Sequence, residues 1–66
     1  MEGIVVDTFM LRVVKEPRDN AELVVLTSKD ATVEVDSSFE DPYWYKVTTA
    51  TQCQGYVPKR HVAIRG

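Results

Sequence analysis

Cysteine is almost absent from this chain of 66 residues. Cys53 stands alone, so no internal disulfide can staple the domain and packing must hold it. Histidine is equally scarce, and one His with one Cys cannot furnish a tetrahedral metal site. Nucleophilic catalysis needs a Cys with a base in reach and a third group to orient that base, and no such constellation is legible around Cys53 and His61. No catalytic residue, metal or cofactor is therefore expected, and the chain reads as a non-enzyme. The three glycines, Gly3, Gly55 and Gly66, are scattered, which excludes a phosphate-cradling loop. No apolar run approaches the ~18 residues of a helical membrane span, so a membrane is not an expected partner. Met1-Glu2-Gly3 lack the basic and apolar regions of a signal peptide; an exported parent protein would carry its signal elsewhere and place this domain in the cell envelope or outside the cell. Basic residues are outnumbered, 8 against 10 acidic, giving a net charge of −2 that argues against binding a phosphate backbone.

What the chain does have is valine, isoleucine and aromatics in short alternating runs, the pattern of strands. Its length allows one domain, residues 1–66, and the abrupt start at a strand-like segment suggests one excised from a larger protein. Residues 3–7 read as a first strand and residues 9–14 as a second or as the continuation of a bent one, with Leu11 and Val13 on one face and Arg12 on the other. Residues 15–22 (KEPRDNAE) form a polar loop. Residues 23–26 (LVVL) suit a strand buried on both faces or a crossing segment, and residues 32–35 alternate with both valines inward. Residues 36–42 (DSSFEDP) make a second, acidic loop. The aromatic stretch 43–47 (YWYKV) follows, with Trp44 and Lys46 on one face and Tyr45 and Val47 on the other. Residues 55–57 return as a strand stopped by Pro58, residues 59–61 make a tight or 3₁₀ turn, and residues 62–64 close the chain. Turn signals every 8–12 residues or so, with no helical period, predict an all-β domain of five to six short antiparallel strands, a small barrel.

Leu11-Arg12-Val13-Val14-Lys15-Glu16-Pro17, Val33-Glu34-Val35, Trp44-Tyr45-Lys46-Val47 and Gly55-Tyr56-Val57 together resemble the bacterial SH3-like domain family. The likeness runs from about Gly3 to Ile64. It departs at Val14 and Glu16, where the family commonly has Arg and Gly, and in a loop before Trp44 about two residues longer than usual. Gly55-Tyr56-Val57-Pro58 is also similar to the end of the groove in the eukaryotic signalling version of the fold, although His61 stands where that version has a tyrosine.

The resemblance implies an SH3-like barrel serving as a monomeric, non-catalytic binding module. Its ligand would be a peptide, above all a peptidoglycan stem peptide of the bacterial cell wall, held in a groove beside Trp44. Tyr56 and Pro58 would be co-walls of that groove. Glu16, Asp19, Glu40 and Asp41, with Glu22, lie in the two loops that flank it and would favour a cationic ligand. Other readings stand beside this one. Trp44 can instead cap the barrel from within, the acids can simply solvate their loops, the groove can take proline-rich peptides, and the Trp44 face can pack on a neighbouring domain of the same chain.

Overall fold

The computed structural model describes residues 1–65, and Gly66 lies outside the described residues. Seven strands follow in chain order: β1 (Glu2–Val5), β2 (Met10–Val14), β3 (Leu23–Ser28), β4 (Thr32–Val35), β5 (Trp44–Thr49), β6 (Gln54–Pro58) and β7 (Val62–Arg65). A single 3₁₀ turn, Lys59–His61, separates β6 from β7. The domain is all-β, and every described strand pair is antiparallel.

The seventh strand exceeds the five to six expected, and the backbone at Asp7 explains it. Asp7 adopts the left-handed region (φ 60°), which interrupts the extended backbone between Val5 and Met10. The chain therefore breaks into β1, which pairs with β4 and β7, and β2, which pairs with β3 and β6.

The strands form one sheet in the order β3-β2-β6-β5-β4-β1-β7. That sheet cannot be flat. Strands β3 and β4 are four places apart, which would separate them by roughly 19 Å in a flat sheet. Yet only residues 29–31 connect Ser28 to Thr32, a reach of at most about 14 Å. The sheet must curl, and the curl gathers Val5, Leu11, Val13, Val33, Val35, Val47, Val57 and Val62 into one core. The end strands β3 and β7 are not paired with each other, so the described residues do not close the sheet by hydrogen bonds.

Valine at nearly every core position suits this geometry, because the stiff branched side chain fills a pleated surface without much rotamer loss. Burying each contributes roughly 1.5–3 kcal/mol, and a domain of this size has few such contributions to lose. Two glycines permit the close approach of strands. A Cβ at Gly3 would lie 2.6 Å from Val62 Cγ1, and one at Gly55 would lie 2.6 Å from Val13 Cγ1 and 2.7 Å from the Val14 carbonyl oxygen.

Strand β3 differs from its expectation of burial on both faces. It is an end strand of the sheet, so Leu23 and Leu26 are exposed and only Val24 and Val25 pack against the core.

Candidate functional site

The register of β5 and β6 fixes the aromatic stretch. Tyr45 lies opposite Val57 and Val47 opposite Gly55 on the core face, while Trp44 lies opposite Pro58 and Lys46 opposite Tyr56 on the outer face. Tyr45 packs against the core at its rim, and Lys59 Nζ sits 5.0 Å from its ring centroid, a cation–π distance. Trp44 is half-buried: it is neither sealed inside the core nor fully in solvent.

Two backbone devices hold Trp44 where β5 begins. The Asp41 carboxylate accepts the backbone N–H of Tyr43 at 2.8 Å and that of Trp44 at 3.1 Å, an Asx-type turn. Beyond it, the Lys59 N–H donates to the Tyr43 carbonyl at 2.9 Å, tying the start of β5 to the 3₁₀ turn. Pro58, at φ −65°, ends β6 and places the turn residues beside Trp44.

Between these elements and the loop of residues 15–22 lies a hollow of about 290 Å³. Leu11, Val14, Ala21, Trp44 and Pro58 give it apolar surface; Met10, Arg12, Arg18, Asp19, Asn20, Arg60 and His61 supply most of the rest. The loop is shaped by its own backbone: the Lys15 N–H donates to the Glu22 carbonyl at 2.9 Å, Asn20 takes the left-handed conformation it tolerates well, and Ala21 is buried at the loop's end. The His61 ring reaches the Val6 carbonyl at 3.4 Å through Nδ1, which orients the imidazole at one border of the hollow.

Of the residues singled out in the sequence, the structure brings Trp44, Pro58 and Asp19 together in this hollow and sets the others apart. Tyr56 is not one of its walls. Phe39, from the loop of residues 36–43, packs against the Tyr56 ring with centroids 5.1 Å apart and planes inclined by 57°. Glu16 turns to Arg18, whose guanidinium it binds in an exposed ion pair. Glu22 pairs with Lys15 at 3.6 Å. Glu40 and Asp41 border a different, shallower hollow of about 530 Å³ with Phe39, Tyr45 and Lys59. The carboxylates expected around one groove are thus divided, because Phe39 anchors the second loop on Tyr56 and Glu40 and Asp41 border a separate hollow with Tyr45 and Lys59.

The residues that sequence reasoning left out of the site are the cations. Arg12, Arg18 and Arg60 all line the Trp44 hollow, against Asp19 as its one carboxylate. A signal existed for Arg12, whose alternation with Leu11 and Val13 already placed it on the outer face of β2. Arg60 carried none, since its position depends on the 3₁₀ turn after Pro58.

Asp36 has a displaced titration. The Ser38 hydroxyl and then the Ser38 backbone N–H donate to its carboxylate, at 2.6 and 2.9 Å, and hold its pKa below the usual 3.8. Cys53 belongs to the β5–β6 turn, where its N–H donates to Thr49 Oγ1 at 3.2 Å and Thr51 Oγ1 approaches its sulfur at 3.6 Å. Among the described residues, no three His, Cys, Asp or Glu side chains gather where they could share a metal ion. The site offers surface, arginine donors and an indole face.

Compared with known proteins, the chain matches no family model and no curated sequence.

Proposed function

We propose that this domain is a non-catalytic binding module that takes a peptide segment into the hollow beside Trp44. The observation that carries this reading is the pairing of Trp44 with Pro58 on the outer face, half-buried and flanked by a loop whose polar tip folds over the same space. Indole and pyrrolidine side by side offer a rigid apolar platform, and the loop supplies polar groups to fix a ligand's orientation. The resemblance of Trp44-Tyr45-Lys46-Val47 and Gly55-Tyr56-Val57 to the bacterial SH3-like family supports a cell-wall stem peptide as the ligand and an SH3-like barrel as the fold. The curled sheet and the 3₁₀ turn between β6 and β7 are compatible with that fold.

Recognition of proline-rich peptides is the second reading, and it draws on Gly55-Tyr56-Val57-Pro58. One observation weighs against it: Tyr56 packs with Phe39 and is not a wall of the Trp44 hollow. A shallow site of this size should bind modestly, because little contact surface remains to offset the entropy of association.

Titration of Trp44 fluorescence with purified muropeptides and, separately, with PxxP peptides tests the proposal. A response to muropeptides that Trp44→Ala abolishes, with the fold intact, supports it. A response to PxxP peptides alone transfers the site to the second reading, and silence towards both favours a barrel that packs on a neighbouring domain.

A further inference from the structure

We propose that the Trp44 hollow selects a short peptide bearing a carboxylate, with Arg12 and Arg60 as the groups that receive it. This rests on the reading of the hollow as a peptide site and reverses the cationic preference that the loop sequences imply.

The charges around the hollow are unequal in number and in availability. Arg18 is engaged by Glu16, and Lys15 at the base of the same loop is engaged by Glu22. Among the described residues no carboxylate pairs with Arg12 or Arg60, and both side chains are exposed. They come from separate elements, β2 and the 3₁₀ turn, and meet at one hollow. Guanidinium groups bind carboxylates through paired N–H donors, and such charge-assisted bonds are stronger beside apolar surface that thins the water. Trp44, Pro58 and Leu11 provide that surface. A ligand carboxylate with an adjoining apolar side chain therefore matches both halves of the site.

Arginines beside an indole could also attract nucleic acid, but the surroundings oppose a long polyanion. The neighbouring hollow is lined by the residues that follow Trp44 and Pro58 in the chain, Tyr45 on β5 and Lys59 in the 3₁₀ turn, and carries Asp36, Glu40 and Asp41. With a net charge of −2 over the chain, a phosphate backbone running past Trp44 would meet like charge, whereas a short acidic peptide ends before it does.

The test uses the intact chain and three end-blocked hexapeptides that differ only in carrying glutamate, glutamine or lysine beside a proline. A fourth peptide, the glutamine form with a free C-terminal carboxylate, distinguishes a chain end from a side chain as the source of the charge. Calorimetry and Trp44 fluorescence should show the glutamate peptide, or the free-ended one, binding at least about tenfold more tightly than the blocked glutamine and lysine forms. Arg12→Gln with Arg60→Gln should remove that preference while near-UV circular dichroism stays native, and raising salt from about 50 to about 300 mM should shrink it. Equal affinity for all peptides, each lost in Trp44→Ala, would refute carboxylate selection and leave the peptide site standing. Failure of every peptide to bind, or binding indifferent to Trp44→Ala, would sink the site and the selection together. A single-stranded oligonucleotide binding more tightly than any peptide would overturn the assignment to peptides.

Discussion

The Asp41 carboxylate accepts the backbone N–H of Trp44 at 3.1 Å, so an acid that looks like a ligand-binding group in the sequence instead fixes the indole at the start of β5. The same oxygen accepts the Tyr43 N–H at 2.8 Å. Asp41→Ala should free both donors, lower stability by about 1 kcal/mol and weaken peptide binding through a looser Trp44. Asp41→Asn, which keeps the acceptor oxygen, should restore most of both. Thermal melts and the anisotropy of Trp44 fluorescence check this pair of outcomes, and loss of binding in Asp41→Asn with native anisotropy would show that the charge itself is what matters.

Glycine at position 55 is a requirement of packing. An alanine Cβ there would meet the Val14 carbonyl oxygen at 2.7 Å as well as Val13 Cγ1 at 2.6 Å, and backbone cannot swing aside. Gly55→Ala should destabilise by about 2 kcal/mol. Gly3→Ala, which meets side-chain methyls of Val62 and Val35 and, more remotely, the Ala63 carbonyl at 3.6 Å, should be milder. Urea unfolding of the two variants ranks them.

At the β5–β6 turn, Gln52 holds the left-handed conformation at φ 69°. Glycine adopts it without the Cβ clash that glutamine suffers, so Gln52→Gly should gain roughly 0.5–1 kcal/mol after its larger unfolded-state entropy is counted. For a domain of this size that is a rise in Tm of about 2–8 °C, readable by calorimetry.

Acid should weaken the loop of residues 36–43. The folded pKa of Asp36 is lowered, so the unfolded chain takes up its proton before the folded one does. Its contribution is fully present above the ordinary aspartate range near 3.8 and is lost as pH falls through the lower folded value. Asp36→Asn should flatten the acid limb of the stability curve, and in the native chain the Phe39–Tyr56 contact should loosen over the same pH interval, seen in the aromatic chemical shifts.

Much of this architecture was legible in the sequence because period-two alternation is a local signal. It placed Leu11 and Val13, Val33 and Val35, and Tyr45 and Val47 towards the core, as the structure does, and it set Trp44 on the opposite face from Tyr45. The tight turn after Pro58 was legible from another local signal, a proline that ends its strand. What escaped was whatever depends on how the sheet curls. The exposure of Leu23 and Leu26 follows from β3 being an end strand, which no run of four apolar residues announces. The placement of Glu40 and Asp41 follows from Phe39 anchoring their loop on Tyr56, a tertiary contact between β6 and a loop distant in the chain. The Trp44 hollow was foreseen at Trp44 and Pro58 but not in the absence of Tyr56 from its walls, and two of its three arginines, Arg12 and Arg60, come from β2 and the 3₁₀ turn, which the loop sequences do not announce.

The most direct test of the account is a map of backbone amide shifts during titration of the isotopically labelled domain with the glutamate peptide. The account predicts that the largest changes fall on Met10, Arg12, Asn20, Trp44 with its indole N–H, and Arg60, the residues around one hollow. Changes centred on Glu40, Tyr45 and Lys59, or spread evenly with no saturation, would contradict it.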